Sequence, residues 1–268
     1  MPFVYCLNTS TIRPRPLLEK IRLAAKHGFQ AIELWINDID EHVAAGGSVA
    51  DVRKAAQDAG LALPSAIAMK GWGDAAEAGY PAAMRECERR MRIAAELGAA
   101  TIVATPPLEP ADLSIVSRRY RDLLAAGRAI GVRPTMEYLG FCRSVHTIAH
   151  ALAIVDEARD AAAALVLDSF HTFRGGSAAD EFFRVPVERI AHFHLDDAPS
   201  TPPREKQMDP ARVMPGDGVL NLRGEIEHLR KIGYKGAISL ELFNPALWEK
   251  DPNEVLALGM ERMRELME

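Results

Sequence analysis

Cysteine is scarce: Cys6, Cys87 and Cys142 are the only three in 268 residues. An odd number without a Cys-x-x-Cys pair indicates neither a disulfide framework nor a thiolate zinc site, and it fits a reducing cytoplasm. Long apolar runs are missing too. Nothing approaches the roughly 18 residues of a membrane span, and Met1-Pro2-Phe3-Val4-Tyr5-Cys6 lacks the basic-then-apolar order of a signal peptide. A soluble cytoplasmic protein is expected. Positive charge is not in excess either. Lys and Arg number 32 against 37 Asp and Glu, a net charge of -5, and the cations are scattered. That pattern argues against nucleic acid or an anionic membrane as partner. There is no Gly-x-Gly-x-x-Gly after the first apolar run and no phosphate loop.

What is present is a repeat. An amphipathic stretch, a glycine and a short apolar run recur at Gly28 (before Phe29 to Trp35), Gly60 (before Leu61 to Ala68), Gly98 (before Ala99 to Thr105), Gly131 (before Val132 to Leu139) and Gly233 (before Tyr234 to Phe243). Glycine just past a helix is favoured because it takes the left-handed conformation without a Cβ clash. Two further runs, Ala163 to Asp168 and Ile190 to Leu195, lack the glycine, and Phe3 to Asn8 completes eight. Apolar positions three and four apart, such as Leu17, Ile21, Ala24 and Ala25, mark the intervening helices. Runs apolar on both faces point to a parallel sheet covered by helices. The spacing predicts an α/β fold, a single (β/α)₈ TIM barrel spanning residues 1–268.

Four of these runs carry, at or near their C-terminal ends, a residue that can hold a hard divalent cation: Glu137, Asp168, His194 and Glu241. Strand C-termini are where barrel enzymes build their sites. Any one of the four alone reads as a solvated loop carboxylate or a hydrogen-bonded core histidine. Four at that end of the last four strands, each preceded by apolar residues, would leave charge at the edge of a core unless a cation compensates it. Three carboxylates with one imidazole suit one divalent metal ion, Mn²⁺, Mg²⁺, Co²⁺ or Zn²⁺. His171, three residues past Asp168, and Arg212, in the turn-rich Arg212-Val213-Met214-Pro215-Gly216-Asp217-Gly218, are expected to contact substrate. His192 shares a strand face with His194 and is expected deeper, in the core or supporting a ligand.

At these residues the chain resembles the sugar isomerase and epimerase superfamily built on the xylose-isomerase-like barrel. Leu165-Val166-Leu167-Asp168-Ser169-Phe170-His171, His194-Leu195-Asp196-Asp197, Arg212 to Gly218 and Ser239-Leu240-Glu241-Leu242-Phe243-Asn244-Pro245 look most like the inosose isomerase branch, which interconverts keto-inositols. The resemblance implies metal ligation by Glu137, Asp168, His194 and Glu241, with His171 and Arg212 near a polyhydroxy ketone substrate. It also implies proton transfer through an enediolate, for which Glu137 and Glu241 are expected to be the catalytic acid and base as well as ligands. The first half carries the barrel rhythm, including Gly28-Phe29-Gln30-Ala31-Ile32-Glu33-Leu34-Trp35. On its loops Glu33, Trp35 and Lys70 are expected to bind substrate, and Asn8, Trp72 and the Pro106-Pro107 turn are further candidates for the pocket wall.

Same-barrel alternatives are inosose or 3-dehydroshikimate dehydratases, hydroxypyruvate isomerases, ketose 3-epimerases and, outside enzymes, a metal-dependent sugar-binding protein. No Lys stands at the ends of strands five to eight, which weakens a Schiff-base aldolase. A nuclease with a three-metal cluster would need extra histidines on earlier strands. Ser65 to Met69 and Val103 to Pro106 have none. A homo-oligomer is left open.

Overall fold

The structure is a computed structural model and describes residues 3–268. Its centre is a closed parallel barrel in which β1 (Val4–Asn8), β2 (Ala31–Trp35), β3 (Ser65–Met69), β4 (Thr101–Ala104), β5 (Arg133–Met136), β6 (Leu165–Asp168), β7 (Ile190–Leu195) and β8 (Ala237–Leu240) pair in sequence order and β8 returns to β1. The expected TIM barrel is therefore the fold.

Around it run α1 (Leu17–Lys26), α2 (Ile36–Ala44), α3 (Val49–Asp58), α4 (Tyr80–Leu97), α5 (Leu113–Ile130), α6 (Ile148–Glu157), α7 (Ser169–Gly175), α8 (Glu181–Arg184), α9 (Leu222–Lys231), α10 (Pro245–Trp248) and α11 (Pro252–Met267). The sequence repeat counts one helix per strand. The barrel carries two after β2, after β6 and after β8, and β7 is followed by a long loop before α9. None of the described helices is long and apolar enough to cross a membrane.

All five repeat glycines have positive φ, from 70° at Gly60 to 93° at Gly131. Gly98 shows what this does: as the left-handed cap of α4 it turns the chain so that the Ala99 amide bonds back to the Ala94 carbonyl before β4 begins. Strand residues are buried on both faces, completely so in β3, β4, β6 and β8. The strands end earlier than their apolar runs. β5 stops at Met136 and β8 at Leu240, yet one more ladder bond follows each: Glu137 N donates to Ala104 O at 3.2 Å, and Glu241 N to Leu195 O at 3.2 Å. At their other ends β3 begins only at Ser65, past Pro64, which has no N–H to give to a ladder.

Candidate active site

Strand register brings the four expected ligands to one level. Asp168 lies opposite His194 across β6 and β7, and His194 opposite Ser239, two residues before Glu241. The extra ladder bonds hold Glu137 and Glu241 at the same rim. His194 Nδ1 then faces Glu241 Oε2 at 3.1 Å, Glu137 Oε1 at 3.3 Å and Asp168 Oδ2 at 3.8 Å. All four residues are buried, and one donor atom from each falls within 4.8 Å of the others.

The donor set fits a divalent cation. His194 Nδ1 is buried with no hydrogen-bond partner, while Nε2 on the far side of the ring is 3.0 Å from Glu33 Oε2. A proton on Nε2 donated to that carboxylate leaves the Nδ1 lone pair aimed at three carboxylate oxygens. Burial alone would lower the pKa of His194. Glu241 and Glu33 outweigh it and hold it well above the usual histidine range, so Nδ1 binds a proton wherever a cation does not displace it. Burial raises Glu137 to about 7, with Glu241 and Asp168 adding to the effect and His194 opposing it. Crowded carboxylates of this kind call for a positive charge.

Local structure fixes each member. Asp168 is the N-cap of α7: Oδ1 accepts from His171 N at 2.6 Å, which leaves Oδ2 for the site. The Tyr138 hydroxyl accepts from Asp168 N at 3.2 Å and lies 2.6 Å from Thr172 Oγ1. Asn8, closing β1, donates through Nδ2 to Glu33 Oε2 and Glu241 Oε1, both at 2.8 Å, while its Oδ1 accepts from Trp35 Nε1 at 2.9 Å.

Above the four residues opens a cavity of about 550 Å³, lined by Glu137 and Glu241 and, of the expected substrate contacts, by His171, Arg212, Trp35 and Lys70. Pro106 is on the wall as well. Arg212 is buried and holds together the acidic side: Nη1 bonds Asp168 Oδ2 at 2.8 Å, Glu241 Oε2 at 3.0 Å and Asp196 Oδ2, and Nη2 bonds Asp209 Oδ1 at 3.0 Å. Nη2 is also 2.9 Å from His171 Nε2, and Gly140 N is 3.2 Å from Nδ1. A neutral imidazole has one ring lone pair, so a single tautomer accepts only one of these. Burial and the neighbouring guanidinium push His171 down to about 3, so it is neutral at physiological pH.

Three expectations for the pocket wall are corrected. Glu33 is wholly buried behind His194 and is enclosed by Asn8, Ser239 and both strand histidines. Asn8 is buried beside it. Trp72 packs against Tyr120, ring centroids 6.3 Å apart, in the core. Alternation along a strand tells inward from outward but not whether a neighbouring strand covers an inward group. His192 is deep, as expected, with Nε2 3.5 Å from Glu33 Oε2.

Sequence reasoning did not assign the roles of Asp196 and Asp197 that follow His194. Asp196 pairs with Arg212 and accepts from Phe170 N at 2.7 Å. Asp197 accepts from the amides of Gly216, Gly218 and Leu220, each at 3.0 Å, and so shapes the loop behind Arg212. The signal was there: two adjacent acids closing a buried strand need donors. Arg13 and Trp248, also missed, reach the cavity from the turn after β1 and from the end of the four-residue α10, both too short to show periodicity. A more open depression of about 680 Å³ between α1 and α11 has no metal-ligating cluster among the described residues.

Comparison with known proteins identifies the family of this fold. The inosose isomerase of Halalkalibacterium halodurans is 26% identical over 94% of this chain and 92% of its own. The 3-dehydroshikimate dehydratase of Pseudomonas aeruginosa is 29% identical over 85% of this chain but 36% of its own length. A crystal structure of the IOLI protein with a binding zinc atom superposes with a TM-score of 0.91, at 24% identity, over 99% of this chain and 98% of that one. Residues 21–266 match the family described as xylose isomerase-like TIM barrel, and the chain belongs to that family.

Proposed function

We propose that this chain is a divalent-metal-dependent isomerase or epimerase of a polyhydroxy ketone, of which a keto-inositol is the parent type, acting through an enediolate. The observation that carries the reading is the unpartnered Nδ1 of His194 set among Glu137, Asp168 and Glu241, two of which, Glu137 and Glu241, line a cavity. The inosose isomerase relatives support the substrate class.

A cation held by those four side chains supplies Lewis-acid stabilisation of the oxyanion that develops on enolisation. The residues do the rest. Glu137 and Glu241 approach the cavity from β5 and β8, on either side of Asp168 and His194. One carboxylate takes the proton from the carbon beside the ketone, and that C–H electron pair becomes the new carbon–carbon double bond as the carbonyl π pair moves onto oxygen. The other returns a proton: for isomerisation to the former carbonyl carbon, while the hydroxyl proton of the first carbon passes to the former carbonyl oxygen, or for epimerisation to the opposite face of the first carbon. A positioned base of this kind contributes about 10²–10⁴-fold. Arg212 keeps Glu241 and Asp168 in place, and His171, held neutral, adds no second positive charge beside it.

The test is exchange of solvent deuterium into candidate ketones by the metal-loaded protein. Exchange into a polyhydroxy ketone, lost by at least 100-fold in Glu241→Gln, is the expected result. Wild-type exchange in that variant would overturn the assigned role, and no exchange into any ketone would favour a sugar-binding protein. A second reading, dehydration from the same enolate, is favoured by the 29% identity to a dehydratase. It is told apart by loss of water from the product.

A further inference from the structure

Two cations on the cavity wall have no part in the proton transfer. Arg13 stands on the turn after β1, and Lys70 directly follows β3. Each is held against an aromatic ring that also lines the cavity: the Lys70 ammonium is 5.6 Å from the Trp35 ring centroid, and the Arg13 guanidinium carbon 6.0 Å from that of Trp248. Rings at this range steady a cation without neutralising it. Among the described residues no carboxylate comes within 4.0 Å of either. Asp74, on the same wall, is solvent-exposed and beyond that distance.

The contrast with Arg212, the third cation lining the cavity, is sharp. It is matched by four carboxylates. Arg13 and Lys70 instead repel each other. Lys70 is lowered first by burial and then by the charges of Arg90 and Arg13, which Glu137 and Asp209 only partly offset. Both side chains remain open to solvent and therefore to a ligand. Two like charges converging on one cavity without a counter-ion are placed to receive an anion, and a guanidinium with an ammonium matches the oxygens of a carboxylate or phosphate. A neutral keto-inositol offers their N–H groups hydroxyl acceptors but no charge to match theirs.

We propose that Arg13 and Lys70 form an anion subsite, and that the substrate is a polyhydroxy ketone bearing a carboxylate or phosphate group away from the carbons that exchange their proton. This rests on the enolisation reading above and narrows its substrate class.

The experiment measures deuterium exchange by the Mn²⁺-loaded protein into 3-dehydroshikimate and hydroxypyruvate as carboxylated ketones, fructose 6-phosphate as a phosphorylated one, and 2-keto-myo-inositol and fructose as neutral ones. An anionic ketone is expected to exceed the neutral ones at least tenfold in kcat/KM, and which anion does so identifies carboxylate or phosphate. Lys70→Met and Arg13→Met are expected to lower the anionic-to-neutral ratio about tenfold or more, through KM. Lys70→Arg, which keeps the charge, is expected to retain most of it. Preference of the wild-type protein for neutral ketones, or an unchanged ratio in both Met variants, overturns the subsite and leaves enolisation standing. Absence of exchange into every compound instead overturns the enolisation reading on which the subsite depends.

Discussion

Replacing Glu33 by Gln isolates the electrostatic part of the proposed metal centre. Glu33 Oε2 alone accepts from Asn8 Nδ2 at 2.8 Å, His194 Nε2 at 3.0 Å and Ser239 Oγ at 3.2 Å, while Oε1 has no partner. A glutamine can present its carbonyl oxygen where Oε2 stands and its amide nitrogen where Oε1 stands. The hydrogen bonds survive and the charge is lost, while the amide N–H₂ takes the unpartnered place of Oε1, a cost that falls on stability and not on the affinity ratio. That charge makes the His194 imidazole a better donor through Nδ1, and carboxylate partners of ligating histidines typically contribute 10- to 100-fold in metal affinity. Glu33→Gln is therefore expected near the lower figure, about tenfold or about 1.4 kcal/mol. Glu33→Ala also leaves the His194 N–H unpaired in the core, and is expected near the upper figure with a further loss of about 1–3 kcal/mol in stability. Chelator competition with Mn²⁺ or Zn²⁺ reads the affinity. Thermal unfolding at fixed metal reads the same loss as a fall of about 3–5 °C, since binding to the native state stabilises it by linkage. Affinity in Glu33→Gln within twofold of the wild-type value would refute the reasoning, because geometry would then suffice without charge.

Glu225, buried beneath α7 and bonded to Ser169 Oγ at 2.8 Å, is raised by burial to about 7. Its folded pKa lies above its unfolded one near 4.5, so it contributes stability below that unfolded value and loses it as pH rises through about 7. Urea midpoints are expected to fall between pH 5 and pH 7.5, and the fall to be smaller in Glu225→Gln; an identical pH profile would contradict the shift. Gly98→Ala places a Cβ at φ 87°, with nothing within 4 Å to clash, so the penalty is conformational alone. A loss of about 1 kcal/mol by denaturant unfolding is expected. Glu137→Gln is expected to lower deuterium exchange by about 10²-fold or more, and exchange at the wild-type rate would remove Glu137 from the proton path.

The barrel was legible because its signals are local. Gly98 and Gly131 end helices by their own backbone conformation, and a run such as Leu165 to Leu167 is apolar because both its faces are covered. The expected ligands were legible for a related reason: a charged residue directly after such a run is stranded at the core's edge unless something compensates it. Glu33 shows where this stops. Its place in Ile32-Glu33-Leu34 resembles that of Asp168 after Leu167, and reading it as a pocket residue is natural. Whether it meets substrate or the back of His194 depends on a strand 161 residues away. Trp72 failed similarly, because an aromatic beyond a strand end packs inward or outward according to the helix it meets.

By itself the sequence determined the repeat, its eight strands and the side chains able to hold a divalent cation, since helix caps, apolar runs and donor types act over a few residues. Tertiary structure alone decided which nitrogen of His194 faces the carboxylates, that Asn8 and Arg212 bridge to Glu241, and that Arg13 and Lys70 share one wall. Those relations cross between strands: closing the barrel between β8 and β1 brings Asn8 to Glu241, and the side-by-side order of successive strands sets the others within hydrogen-bond and Coulomb range.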